Sequence, residues 1–141
     1  MELRAEEAVE ASIEKGQAPI DRGRRNLFSQ EVTMEFRKVT AIIRSRLLGD
    51  VEERLKKMGV KGLTITRVKG FGEDKAIWAQ DWLGNHARIE IFTEKNKAEK
   101  IAAAISEAAH TGGAGDGIIS ILPVEKIFRI RTKSRARAGE I

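Results

Sequence analysis

The stretch KVTAIIRSRLLGDVEERLKKMGVKGLTITRV, residues 38–68, decides the fold class. Its first seven residues are apolar or β-branched between charges and predict a strand. Its last six, 63–68, alternate in polarity as a half-buried strand does. Between them, apolar residues recur at three- and four-residue spacing up to a glycine stop at Gly59, which predicts a helix. The helix positions are Leu48, Val51, Leu55 and Met58.

The same strand, helix, strand order returns after a long loop over residues 69–86. Residues 87–92, ARIEIF, alternate and predict a strand, and apolar residues from Ala98 to Ala109 form the face of a second helix. An apolar strand at 118–122 ends at Pro123, and a last short strand is predicted at 126–131. Two βαβ units of this size predict an α+β fold, a ferredoxin-like βαββαβ sandwich with both helices on one sheet face.

The other sheet face is too polar for the core of a single subunit. Its predicted residues include Thr40, Thr64, Thr66 and Arg88. Since an uncovered sheet face is usually solvated or used, we expect a second copy of the chain to cover it.

Composition excludes several classes of function. The chain has 141 residues, of which 41% are hydrophobic and 33% charged, and it has no cysteine. A disulfide framework, a zinc ribbon and a thiol nucleophile are therefore excluded, and a reducing, cytoplasmic location is expected. No apolar run reaches the ~20 residues of a membrane helix, and His86 and His110 are too few for a histidine-only metal site. We predict no metal and no membrane insertion.

Residues 1–33 differ from the rest of the chain. They have a net charge of −2 within a chain of +5, which leaves +7 for residues 34–141. Their apolar residues are sparse and glycine and proline interrupt them, so we predict a flexible N-terminal extension followed by one domain at 34–141. Met34 is a candidate native start.

Two features predict a phosphate site. TGGAGDG at 111–117 has four glycines, which let successive backbone N–H groups converge on an anion. Arg129 and Arg131 are two apart, so on a strand they point to one side and form a fork for a phosphate chain. Each feature alone also fits an ordinary glycine turn or a solvated edge. Together they favour a nucleotide site.

These motifs resemble those of the PII signal-transduction proteins over residues 36–132. The resemblance rests on VTAIIR, GVKGLTITRVKGFG, RIEI, TGGAGDG, LPVE and RIR in that order. It implies a homotrimer whose sheets face inward and whose intersubunit clefts bind ADP, AMP or ATP. It also implies no catalytic residue and a long loop, the T-loop, that contacts a target protein, either a transporter or a metabolic enzyme.

The resemblance implies the nucleotide site residue by residue. The glycine-rich loop supplies Thr111, Gly112, Gly115, Asp116 and Gly117, and the phosphates are held by Arg129 and Arg131. The base, ribose and loop side are lined by Ile42, Gly62, Leu63, Thr64, Gly70, Phe71, Gly72 and Phe92.

The sequence departs from the family in its effector residues. The T-loop is shorter and has no tyrosine for uridylylation, since the chain has none. Glu73 and Asp74 replace arginine and glutamine, His86 replaces the lysine that grips 2-oxoglutarate, and Ile118 replaces a phosphate-binding lysine. Because acids oppose a nearby phosphate, we expect ADP or AMP to bind in preference to ATP.

A small anion is expected as second effector. His86 and Arg88 are suited to pair with a carboxylate-like anion, and we name bicarbonate, in inorganic-carbon metabolism. Trp78 and Trp82 are predicted either to anchor the target protein or to fold back and order the short loop.

Three alternatives stay open. The first is a nitrogen-regulatory PII protein that responds to ATP and 2-oxoglutarate. The second is an RNA-binding module, against which stands the scarcity of aromatic residues on the strands, Phe92 and Phe128. The third is a nucleotide hydrolase with magnesium on Asp116, Glu73 or Asp74, against which stands the lack of a nucleophile–base pair. We expect no nucleic-acid partner.

Overall fold

A computed structural model describes residues 34–70 and 85–141. Two helices, a four-stranded sheet and a short hairpin make up these ranges. In chain order the elements are β1 (Phe36–Arg44), a 3-10 turn (Ser45–Leu47), α1 (Leu48–Lys57), β2 (Thr64–Val68), β3 (His86–Glu94), α2 (Lys95–Ala109), β4 (Ile118–Val124), β5 (Phe128–Arg129) and β6 (Ser134–Arg135).

The sheet has the order β2-β3-β1-β4, and each neighbouring pair is antiparallel. β1 is central: Thr40 lies opposite Glu90 of β3 on one side and Ser120 of β4 on the other. Each βαβ unit therefore leaves a gap that a strand of the other unit fills. This is the ferredoxin-like α+β arrangement that the sequence predicts.

Both helices pack on one face of the sheet, as their apolar spacing predicts. Residues of odd number on β1 and β3 point into this core, because side chains alternate along a strand. Leu55 of α1 and Ile105 of α2 are fully buried between sheet and helix. The strand residues of this core are Val39, Ala41, Ile43, Ile89 and Ile91, and Val51, Ala98 and Ile101 complete it from the helices.

Helix α1 ends where the sequence predicts. Gly59 has φ +82°, a left-handed conformation that glycine adopts without strain. Its amide donates to the carbonyl of Lys56 at 3.0 Å, and the Val60 amide donates to that of Leu55 at 3.1 Å. These bonds satisfy helix carbonyls that would otherwise lack partners and turn the chain toward β2.

The second sheet face is uncovered by any described residue and mixes charge with apolar surface. Lys38 and Glu90 form an ion pair of 2.6 Å on it, and the lysine hydrogen bond lowers the pKa of Glu90. Around this pair, Phe92 is 49% exposed, Leu122 44% and Ile118 69%. We call this surface the open face.

The prediction of a strand at 126–131 is wrong for most of its residues. Only Phe128–Arg129 is extended, and residues 130–133 turn so that Phe128 can pair with Arg135. Lys133 in that turn has φ +52°. Arg131 therefore lies in a turn, so strand alternation does not align its side chain with that of Arg129.

Other boundaries differ by one to three residues from those predicted. β3 begins at His86 and α2 at Lys95, and β4 continues through Pro123 to Val124. Proline is tolerated there because β4 is an edge strand of the described sheet. The predictions for residues 1–33 and for most of the T-loop lie outside the described residues. Neither described helix has both the length and the apolar character needed to cross a membrane.

Replacing Leu55 by alanine tests the core. We expect Leu55→Ala to lower the free energy of unfolding by about 2–5 kcal/mol, because it leaves a cavity between α1 and the sheet. Lys56→Ala, one position along and exposed, should change it by less than about 0.5 kcal/mol. Urea denaturation of both variants measures this, and equal midpoints would contradict the described core.

Candidate functional site

The carboxylate of Asp116 organises the glycine-rich loop. It accepts hydrogen bonds from the amides of Thr111 and Gly112, each at 2.9 Å, and from the Thr111 hydroxyl. The hydroxyl bond and then the Thr111 amide hold the pKa of Asp116 well below its usual range. The carboxylate is therefore ionised at neutral pH, and the loop is closed around a fixed negative charge.

Two side chains from the neighbouring strand ends fasten this loop to the sheet. Arg44, the last residue of β1, donates to the carbonyl of Ala114 at 2.5 Å and lies 3.4 Å from Asp116. His86, the first residue of β3 and the partner of Arg44 in register, has Nε2 3.0 Å from the carbonyl of Gly115. Since a carbonyl only accepts, His86 donates from Nε2.

Sequence reasoning missed Arg44 as a site residue. The signal available was a basic residue at the end of a predicted strand. Its partner, Asp116, is 72 positions away, so only the strand register reveals the pair.

Glycine is required at position 117 because the backbone there lies very close to the backbone of Ile42. A side-chain carbon placed on Gly117 would lie 1.7 Å from the carbonyl oxygen of Ile42, and the φ of Gly117 is +105°. The loop can therefore enter β4 beside β1 only with glycine at this position.

The predicted anion nest needs correction. The amides of Thr111 and Gly112 bind Asp116, and that of Gly113 donates to the Thr111 hydroxyl at 3.1 Å. These three N–H groups are occupied by the loop itself. Within 34–70 and 85–141, no acceptor is recorded for the amides of residues 114–117, which are therefore the ones available to an anion.

A cavity of about 360 Å³ adjoins the loop. It lies between the end of β1, the start of β4 and the end of α2, and it is open to solvent. Its lining includes Ile42, Ser106, His110, Asp116, Gly117 and Ile118. It thus combines apolar walls with one fixed charge and free amides.

Arg88 lies on the open face, two residues along β3 from His86. It stands opposite Ile42 on β1 and Thr66 on β2. Its Nε is buried and has no hydrogen-bond partner among the described residues. A buried donor without an acceptor is costly, so this guanidinium is suited to an acceptor from outside the described chain.

The remaining predicted residues lie at the opposite end of the sheet. Gly62 and Leu63 precede β2, Thr64 begins it, and Phe92 is near the end of β3. Arg129 is at this end too, because it donates to the carbonyl of Glu140, beside a glycine that bonds to Glu94.

The two predicted phosphate elements are therefore far apart within one chain. Gly117 lies beside Ile43, whereas the region of Arg129 lies by Glu94, the partner of Phe36. From Phe36 to Ile43 the strand rises about 23 Å at ~3.3 Å per residue. A single phosphate chain cannot contact both elements of one chain.

Several predictions fall outside the described residues. These concern Phe71, Gly72, Glu73, Asp74, Trp78 and Trp82. Gly70 is described and follows β2 at the same sheet end as the glycine-rich loop. In the described ranges, no group of three or more His, Asp or Glu residues could hold a metal ion.

Replacing Gly117 by alanine tests the close approach. We expect Gly117→Ala to lower the free energy of unfolding by at least about 2 kcal/mol, because the backbone must move away from Ile42 and positive φ strains alanine. Gly49→Ala, in a helix with open space around it, should instead stabilise by about 0.5–1 kcal/mol. Thermal denaturation of the two variants decides, and a harmless Gly117→Ala would refute the contact.

Known proteins resemble this chain over the same range that contains the motifs described above. The model of the family "Nitrogen regulatory protein P-II" matches residues 36–134. The nitrogen regulatory protein P-II of Azospirillum brasilense is 41% identical over 105 residues, which cover 69% of this chain and 93% of that protein. A P-II homolog from Oryza sativa subsp. japonica is 35% identical over 75% of this chain, but this chain spans only 54% of that protein's length.

A solved structure agrees in fold. The crystal structure of Arabidopsis thaliana PII bound to citrate superposes with a TM-score of 0.62 at 38% identity, over 72% of this chain and 89% of that one. The family model, the sequence relatives and the solved structure all identify the same family. The chain belongs to the P-II family of regulatory signal-transduction proteins.

Proposed function

We propose that this chain is a nitrogen-regulatory P-II protein that forms a homotrimer and binds an adenine nucleotide between neighbouring subunits. The observation behind this proposal is the division of the predicted site between the two ends of the sheet. We call the end with residues 111–117, Arg44 and His86 the loop end, and the end with Gly62 and Arg129 the hairpin end. A complete site requires the loop end of one subunit and the hairpin end of the next.

The open face supports assembly. Exposed Phe92, Leu122 and Ile118 flank the Lys38–Glu90 ion pair, so a partner would bury apolar surface around a satisfied pair. Three copies related by a threefold axis would cover all three open faces and join unlike ends of neighbouring sheets.

The phosphates are proposed to lie between the free amides of Gly115–Gly117 and the guanidiniums of Arg129 and Arg131. Ile118, 69% exposed beside these amides, supplies no charge. The Asp116 carboxylate adds negative charge nearby. Both features favour a nucleotide with fewer charges, ADP or AMP, over ATP.

Nitrogen regulation replaces the inorganic-carbon role predicted from the sequence. The relatives named above are called nitrogen regulatory proteins, and the solved neighbour holds citrate, a carboxylate. The unpartnered Nε of Arg88 is suited to a carboxylate oxygen. We therefore propose a carboxylate of the 2-oxoglutarate class as second effector, acting through the T-loop on a target protein. Bicarbonate is the competing anion in the test.

Calorimetric titration tests the ligands. We expect ADP and AMP to bind at least about tenfold more tightly than metal-free ATP, because one added charge near Asp116 costs on the order of 1 kcal/mol or more. 2-Oxoglutarate should then change nucleotide affinity in wild-type protein and not in Arg88→Gln. Coupling to bicarbonate instead would favour inorganic-carbon sensing, and no nucleotide binding would refute the proposal.

Mixed trimers test the divided site. Asp116→Asn disturbs the loop end and Arg129→Gln the hairpin end, so each variant alone should bind ADP poorly. After the two are unfolded and refolded together at equal amounts, about one quarter of the clefts should combine two intact ends. ADP binding should therefore recover to about that fraction of the sites. A mixture as inactive as its components would mean that each site lies within one chain.

A further inference from the structure

Residues 137–141, here called the tail segment, fold back onto the hairpin end. The amide of Gly139 donates to Glu94 at 2.7 Å, and its carbonyl accepts from Lys61 at 3.3 Å. The Glu140 carboxylate accepts from the Arg137 amide at 2.9 Å and closes the segment into a turn. Two polar contacts thus hold this short segment to the hairpin end, and a third closes it on itself, although it lies outside any helix or strand.

The next contact involves Arg129, a residue predicted to bind phosphate. The guanidinium of Arg129 donates to the backbone carbonyl of Glu140. This bond occupies one of the five N–H donors of the guanidinium and fixes the direction of its planar fork. A phosphate that is to be gripped by the whole fork therefore has to displace the Glu140 carbonyl.

The tail segment also reaches the predicted base side. Ile141 lines a cavity of about 260 Å³ together with Phe92, Met58, Val60, Ile91 and Ile101. Phe92 is one of the residues predicted to contact the nucleotide. The segment therefore bonds to one predicted phosphate ligand, Arg129, and shares a cavity with one residue predicted for the base side, Phe92.

We propose that the tail segment is a strap that competes with the nucleotide for Arg129. The inference rests on the nucleotide site proposed above and adds its regulation. With the strap docked, the Arg129 guanidinium is engaged by the Glu140 backbone carbonyl. Nucleotide phosphates displace the Glu140 carbonyl, and the contacts of Gly139 set how much affinity this displacement costs.

The strap can be loosened without touching the proposed ligand residues. Glu94→Gln and Lys61→Met weaken the two anchors of Gly139 in the full-length chain. Glu99→Gln and Lys100→Met are matched controls that remove the same charges. Glu99 is exposed on α2, and Lys100 lines the Ile141 cavity but makes no recorded hydrogen bond to the tail segment. All four variants keep Arg129 and Phe92.

Calorimetry with ADP gives the first readout. We expect the Glu94→Gln/Lys61→Met protein to bind ADP about fivefold more tightly than wild type, the equivalent of one net hydrogen bond. The control pair should match wild type. Equal or weaker binding by the loosened protein overturns the strap while leaving the nucleotide site intact. Absence of binding in wild type, loosened and control proteins alike overturns the nucleotide site and the strap with it.

Hydrogen exchange gives a second readout that does not depend on affinity. The Gly139 amide should be protected in ligand-free wild type, lose protection in the loosened protein, and lose it when ADP is added. Protection that persists with ADP bound overturns the competition, because strap and nucleotide would then occupy the hairpin end together.

Discussion

The structure depends on a sheet that is covered on one side. Both described helices pack on the face formed by Val39, Ala41 and Ile43, since only that side of each strand is continuously apolar. The opposite side keeps Phe92 and Leu122 exposed within the described chain. Burial of this second face needs material from outside the described residues. The proposed trimer would supply it, and would also bring together the two ends of the sheet between which the predicted site residues are divided.

The glycine-rich loop illustrates how a short motif can mislead. Glycine gives the backbone freedom to direct several N–H groups at one point, and the sequence suggested an external anion at that point. In the structure the Asp116 carboxylate of the same loop accepts two of those amides. The motif contains a negative charge of its own, and the groups left for a ligand are the amides of the last four loop residues.

Local periodicity made most of the fold predictable. The three- and four-residue spacing through Leu55, the stop at Gly59 and the alternation of 87–92 each correspond to an element of the structure. Arg131 was misplaced because a two-residue strand cannot be distinguished by periodicity from the turn after it. Arg44 was missed because its contact with Asp116 exists only after β1 and β4 are paired. Spacing along the chain does not encode such register, and it does not show whether two motifs face the same or opposite ends of a sheet.

The strand order also constrains how the chain is made. β1 has no pairing with β2, the strand that follows it after α1; its partners are β3 and β4, which begin 42 and 74 positions after the end of β1. During synthesis the first half of the chain can form helix α1 but no part of the sheet, since each central pairing closes a long loop whose entropy must be overcome first. The apolar residues of β1 that form the core are thus unpaired until β3 has left the ribosome, and a nascent chain that pauses between β2 and β3 presents them to its surroundings.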